Sequence, residues 1–143
     1  MRSRSSLLAH ILGSHPEIAG YREWGRPYRS KRDFIRMRYR SWKDLRWDKP
    51  RYLQDKILHN QYDASLDCHE KFPIRNLVFI REPLSTIRSI IEMGQRRDIP
   101  NYSNTDWATK YYCDRLQKLV TTVTQLPPET WMYFDSTQLI ENT

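Results

Sequence analysis

The segment "RNLVFI" at Arg75–Ile80, followed at once by "REPLSTIRSII", is the feature that most constrains the fold of this chain. A short continuous apolar run is typical of a strand buried in a parallel sheet. Pro83 suits the first turn of a helix. The inward stripe and the end of that helix are marked by Leu84, Ile87, Ile91 and Gly94. A strand leading directly into a helix is the repeating unit of α/β proteins.

The rest of the sequence continues this alternation. Apolar periodicity predicts helices at Leu7–Leu12, Phe34–Leu45 and Trp107–Leu126, with Ser5 or Ser6 as the N-cap of the first. Further strands are predicted at Arg51–Leu58 and Thr130–Phe134. We therefore expect an α/β fold, a parallel sheet flanked by helices. The 143 residues suit a single domain.

The charge of the chain indicates an anionic partner, because the formal net charge is +7. Much of that charge lies in the segment Tyr21–Arg51, where aromatic residues are interleaved with arginine and lysine. One interpretation is a solvated helix whose Trp and Tyr residues pack inward. The other is a basic wall that faces an anionic substrate or a nucleic-acid backbone.

Several classes of protein are disfavoured. No apolar run approaches the length of a membrane span, and the short "LLAHIL" lacks a signal-peptide cleavage site, so we predict a cytoplasmic protein. Two cysteines, Cys68 and Cys113, are too few for a disulfide framework, although one bridge between them stays open. The histidines and cysteines show no metal-ligand spacing, and we predict no metal site.

The segment "RSRSS" places arginines and serines directly before the first predicted helix. A helix N-terminus offers free backbone N–H groups and the positive end of the dipole, and Ser hydroxyls and Arg side chains add charge-assisted bonds to a phosphate. The simpler interpretation is that serine caps the helix and arginine solvates its start. The segment is not a Walker A motif, since the pattern G-x-x-x-x-G-K-S/T does not occur in the sequence.

A second candidate site follows the strand "NLVFI". Arg81 lies at the end of this strand, and Ser85 and Ser89 lie one turn apart on the next helix. Ligands of open α/β sheets bind beyond the carboxyl ends of the strands. Alternatively, Arg81 and Glu82 are ordinary loop residues and the two serines face solvent.

Together these segments resemble the sulfotransferase family. "RSRSSLLAHILGSHPEIAGYRE" resembles the family's 5′-phosphosulfate loop and the "SHPEI" that often follows it, and "FIREPLSTIRS" resembles its 3′-phosphate motif. "DSTQLIENT" resembles the start of the family's "YEDLLENP" segment. The three segments occur in the family's order and span essentially the whole chain. The pattern is most similar to bacterial sulfotransferase-like proteins.

The resemblance implies a P-loop NTPase-like fold. It also implies a sulfuryl transfer from 3′-phosphoadenosine 5′-phosphosulfate (PAPS) to a hydroxyl or amine of a carbohydrate, lipid or small molecule, with no metal required. Met1 stands in place of the family's Pro and of the strand before it, and Arg4 replaces the usual Gly. The C-terminal segment that closes over the nucleotide is absent. We therefore expect residues 1–143 to form one partial sulfotransferase domain that lacks its first strand and its C-terminal segment.

The resemblance also assigns roles to individual residues. Arg2 would lie near the bridging oxygen, the 5′-phosphate would be held by Ser3, Arg4, Ser5 and Ser6, and the 3′-phosphate would be held by Arg81 and Ser89. Lys56 would stabilise charge at the sulfuryl group. Two candidates for the general base remain open, Glu23 and His59, and a third possibility is that neither residue is the base.

Two other functions are compatible with the sequence. A member of the family that had lost its first strand and closing segment would be a non-catalytic domain that binds a nucleotide or a polyanion. The charge of +7 and the basic, aromatic segment would also suit a nucleic-acid-binding module. The second alternative is weakened because the sequence contains no known nucleic-acid-binding motif.

Overall fold

The computed structural model describes residues 5–20, 23–41, 50–57 and 62–136, which fall into two compact units, 5–74 and 75–136. The first unit contains helices α1 (Ser5–Gly13), α2 (Lys31–Ser41) and α3 (Leu66–Lys71) and strands β1 (Ile18–Ala19) and β2 (Tyr52–Leu53). The second contains strands β3 (Asn76–Ile80) and β4 (Trp131–Asp135) and helices α4 (Pro83–Arg96), α5 (Pro100–Ser103) and α6 (Thr105–Val123). The α/β class is confirmed, since each unit combines helices with a parallel strand pair.

In the first unit, β1 and β2 form a short parallel pair. Gly20 directly follows β1 with φ of +100°, and a Cβ at this position would collide with the backbone oxygen of Gln54, so the close approach of the two segments needs glycine. The predicted strand Arg51–Leu58 was too long. It ends at Leu53 because Asp55 takes the N–H of Lys56 with its own side chain at 2.8 Å, and Leu58 lies outside the described residues.

Two helix starts differ from the prediction. Ser5 and Ser6 are both helical residues of α1, so neither is its N-cap. Helix α2 begins at Lys31, three residues before the predicted start. The reason is a local cap, in which the Asp33 carboxylate accepts hydrogen bonds from the backbone N–H of Ser30 at 2.9 Å and from its hydroxyl at 3.0 Å. The predicted end of this helix, after Ser41, lies outside the described residues.

Aromatic rings form the core of the first unit. The ring of Phe34 lies 4.8 Å from that of buried Tyr28 and 4.7 Å from that of Phe72. Met37 and Cys68 are also buried here. The inward side of α2 is thus occupied by Phe34 and Met37, while the Cys68 thiol is free, as is the exposed thiol of Cys113 in the second unit.

In the second unit, β3 and β4 pair in parallel from Asn76↔Trp131 to Ile80↔Asp135, and Ser136 N–H donates to the Ile80 carbonyl at 2.9 Å. Both strands confirm the predicted ones within one residue. The prediction that β3 is a buried strand was wrong, because Leu77 is 42% exposed.

Helix α4 starts at Pro83 as predicted, but its inward stripe is different. Thr86 and Ile90 are buried, whereas Leu84, which was expected to face inward, is 54% exposed. Gly94 does not end the helix, which continues to Arg96. The C-terminus of the helix is capped by Asp98, which adopts a left-handed conformation with φ of 52°, and by a hydrogen bond of 2.9 Å that Ile99 N–H donates to the Gly94 carbonyl.

Gly94 has a packing role instead. A Cβ at this position would lie 2.5 Å from the backbone nitrogen of Ser103 and 2.6 Å from the carbonyl carbon of Tyr102. Glycine is therefore what allows α4 and α5 to approach closely.

Helix α6 confirms the prediction at Trp107–Leu126, except that it begins at Thr105 and ends at Val123. The Asn104 side chain caps it by accepting the N–H of Trp107 at 2.8 Å. The Trp107 ring stacks with those of Tyr102 and Tyr111, at centroid distances of 4.7 and 5.1 Å. Among the described residues, no helix is both long and apolar enough to cross a bilayer.

Candidate functional site

Lys56 brings together three of the residues that the sequence predicted for the site. Its Nζ lies 2.9 Å from Oε1 of Glu23 and 3.2 Å from Oγ of Ser6. The Lys56 side chain is only 20% exposed, and that of Glu23 is 38% exposed. The ammonium group therefore lies between a carboxylate and the first turn of α1.

Asp55 holds the segments that carry Glu23 and Lys56. Its Oδ1 accepts the backbone N–H of Trp24 at 2.7 Å and that of Lys56 at 2.8 Å, and its Oδ2 accepts the Tyr28 hydroxyl at 2.7 Å. Burial, and then the charge of Asp55, raise the pKa of Tyr28 far above its ordinary value, so this hydroxyl keeps its proton. The Asp55 carboxylate thus holds the backbone of Trp24, which follows Glu23, close to the backbone of Lys56.

Sequence reasoning missed Asp55. The available signal was an acidic residue inside the predicted strand "RYLQDKIL", where a charge interrupts the pattern expected of a strand. Asp and Asn side chains commonly bond to nearby backbone groups and so end regular structure.

Helix α1 is tied to this site and presents an N-terminal turn without acidic residues. The Gln54 side chain donates to the Ala9 carbonyl at 2.9 Å, which connects the helix to the segment that precedes Lys56. The first turn contributes no carboxylate of its own that would offset the positive end of the helix dipole. Ser5 is half-buried and Ser6 is exposed. The other residues predicted for the 5′-phosphate site, Arg2, Ser3 and Arg4, lie outside the described residues, as does His59.

The second predicted site lies in the second unit. Arg81 directly follows β3, and Ser89 is half-buried two turns into α4. The Arg81 carbonyl accepts the hydroxyl of buried Tyr112 at 3.1 Å and that of Thr86 at 3.4 Å, which anchors the backbone at the strand end. Burial raises the pKa of Tyr112, so its hydroxyl stays a donor.

The N-terminus of α4 is capped by the protein's own carboxylate. Glu82 accepts the backbone N–H groups of Leu84 and Ser85, both at 2.7 Å. The Ser85 and Leu84 N–H groups lower the pKa of Glu82 below its ordinary value. A phosphate bound near Arg81 would therefore depend on side chains rather than on these two N–H groups. The sequence signal was an acidic residue directly before a proline at the first helical position.

The described residues include no cluster of three histidine, cysteine, aspartate or glutamate side chains that could hold a metal ion. Comparison with known proteins gives no match, whether to family models, to curated proteins or to solved structures. The interpretation of the site therefore depends on the residues and their geometry.

Proposed function

We propose that this chain is a sulfotransferase-type domain that transfers the sulfuryl group of PAPS to a hydroxyl acceptor. The observation that carries the proposal is the position of Lys56, whose ammonium contacts both Glu23 and Ser6. The family resemblance assigns the 5′-phosphate to Ser6, charge stabilisation at the sulfuryl group to Lys56 and a candidate general-base role to Glu23. The three residues meet in one unit although they are far apart in the sequence.

The groups around Lys56 suit an anionic ligand. A lysine ammonium has three N–H donors, and within the described part of the chain two of them are used, by Glu23 and Ser6. The third donor, the Ser6 hydroxyl and the acid-free first turn of α1 all favour a negatively charged group. These groups would bind the 5′-phosphosulfate, together with Arg2, Ser3, Arg4 and Ser5 of the "RSRSS" segment.

When bound, PAPS supplies an activated sulfuryl group. The acceptor oxygen forms a bond to sulfur, the bond from sulfur to the bridging oxygen breaks, and adenosine 3′,5′-bisphosphate leaves. In this scheme the Glu23 carboxylate takes the proton of the acceptor hydroxyl, and Lys56 offsets negative charge on the transferred group. Positioning and electrostatics of this kind supply the catalysis.

The 3′-phosphate is assigned to Arg81 and Ser89, and the resemblance of "FIREPLSTIRS" supports this assignment. An arginine and a hydroxyl are suitable donors to a phosphate. Because Glu82 takes the N–H groups of Leu84 and Ser85, a bound phosphate would depend on the side chains of Arg81 and Ser89.

The substitution Glu23→Gln tests the catalytic part of the proposal. Glutamine keeps the shape and can still accept a hydrogen bond from Lys56, but it cannot take a proton from the acceptor. We expect turnover with PAPS and a set of phenol, sugar and lipid-alcohol acceptors to fall about 10²–10⁴-fold. The affinity for adenosine 3′,5′-bisphosphate, measured in parallel, should change little.

The matched control is Glu70→Gln, which removes the same charge from an exposed position on α3 of the same unit. It should leave turnover unchanged. Normal turnover in Glu23→Gln would exclude Glu23 as the base and favour His59, whose replacement by alanine is measured alongside. Binding of the bisphosphate with no turnover in the wild-type chain would contradict catalysis and support the non-catalytic binding domain.

A further inference from the structure

The outward face of α2 combines arginines and lysine with two exposed apolar side chains. Successive helical residues are ~100° apart, so Ile35 and Tyr39 lie next to each other on one side of the helix. They are 56% and 79% exposed. The exposed cations on both sides of this pair are Lys31, Arg32, Arg36, Arg38 and Arg40. We call these seven residues the α2 outer face.

The other side of α2 is already used in the core of its unit. Met37 is buried, and the Phe34 ring packs against those of Tyr28 and Phe72. Burying Ile35 and Tyr39 therefore requires a partner, because the helix cannot turn them inward without exposing Phe34 and Met37.

The α2 outer face has a large excess of positive charge. Arg36 pairs with Asp33 at 3.8 Å, and the Arg40 guanidinium lies 5.0 Å from the centre of the Trp24 ring. Within the described residues, Lys31, Arg32 and Arg38 have no carboxylate partner. Asp33 is the acidic residue of this helix, and its Oδ2 is engaged in capping the first turn. The complementary partner is therefore strongly anionic.

We propose that the α2 outer face docks the protein onto an anionic lipid bilayer. Ile35 and Tyr39 would enter the interfacial layer while the surrounding cations contact lipid phosphates, as in other basic amphipathic helices that lie on a membrane. A nucleic acid would also attract the cations and could stack on Tyr39. A nucleic acid would offer little apolar surface to Ile35, whose exposed side chain becomes more stable when it leaves water. The apolar contribution therefore favours a bilayer.

Two apolar side chains are too few for strong insertion, so binding should require anionic lipid. The full-length chain is sedimented with vesicles of phosphatidylcholine alone and with vesicles containing about one-third phosphatidylglycerol. We expect binding only to the second. The double variant R32Q/R36Q should bind them roughly 10- to 30-fold more weakly, since each basic residue near such a surface contributes about fivefold.

The matched control is R96Q/R97Q, which removes two exposed charges from the second unit and should bind as the wild type does. Equal losses in both double variants would overturn the proposal, because attraction would then reflect net charge alone. So would equal binding to neutral vesicles, or no vesicle binding by the folded chain.

Ile35→Ser separates a bilayer from a nucleic acid, because it leaves the charge unchanged. We expect about 3- to 10-fold weaker vesicle binding and unchanged binding to a single-stranded oligonucleotide. The proposal fails if Ile35→Ser binds vesicles normally. It also fails if the oligonucleotide binds more tightly than the vesicles and loses affinity in R32Q/R36Q, which would assign the α2 outer face to nucleic acid. Circular dichroism establishes that each variant is folded.

Discussion

The carboxylates of Asp33, Asp55 and Glu82 accept hydrogen bonds from backbone N–H groups. Asp33 caps α2, Glu82 caps α4, and Asp55 joins the backbones of Trp24 and Lys56. Bonds from N–H groups to a charged oxygen favour the ionised acid, and the pKa values of Asp33 and Glu82 are accordingly lowered. At the scale of single residues, acidic side chains thus fix where helices begin and how the loop segments meet.

Glu82 gives a pH-dependent prediction. Its folded-state pKa is below the reference value of 4.5, so its stabilising effect is complete above that pH and is lost as the pH falls through the folded pKa. Thermal unfolding of Glu82→Gln should therefore show a lower Tm than the wild type at about pH 7, and the difference should shrink in acid. The control is Glu92→Gln, exposed on the same helix. A Tm difference that grows in acid would contradict the assignment.

At the scale of elements, the longer helices and the five-residue strands β3 and β4 are predictable, whereas the two-residue strands β1 and β2 are not. The periodicity of Trp107–Leu126 identified α6 because the pattern repeats over many turns. Strand β2 is only Tyr52–Leu53, and its end depends on Asp55, whose side chain bonds to Trp24, 31 residues away in sequence. The exposure of Leu84 was mispredicted for a related reason. The elements that pack on α4 determine its rotation about its own axis, and a local sequence pattern does not contain them.

Gly94 provides a test of helix packing. Alanine has a helix propensity about 1 kcal/mol more favourable than glycine, so a free helix would gain from Gly94→Ala. Here the added Cβ would lie 2.5 Å from the backbone of Ser103. We expect overpacking to dominate and to lower the free energy of unfolding by about 1–3 kcal/mol in a urea titration. Gln95→Ala, at an exposed neighbouring position, should have little effect, and a stabilised Gly94→Ala protein would refute the close approach of α4 and α5.

At the scale of the whole molecule, the sequence named the residues of the candidate site but could not show that they meet. Glu23, Lys56 and Ser6 were assigned from a resemblance, and their contacts depend on long-range bonds such as that from Gln54 to the Ala9 carbonyl. The three predicted strands were expected in one parallel sheet, whereas the described residues form two short parallel pairs, one in each unit, and β1 was not predicted. Pairings of this kind join distant segments, so local patterns predict the strands without their partners.

The central claim is that Lys56 binds the 5′-phosphosulfate group of a nucleotide. Calorimetric titration with adenosine 3′,5′-bisphosphate tests this claim most directly. We expect the wild-type chain to bind it and Lys56→Ala to bind roughly 10- to 100-fold more weakly, as expected for the loss of a charge-assisted hydrogen bond. Lys110→Ala is the control, because Lys110 is also paired with a carboxylate, that of Asp114 at 2.8 Å, but is exposed on α6. It should bind normally. No binding by the folded wild-type chain, or equal weakening in both variants, would contradict the claim.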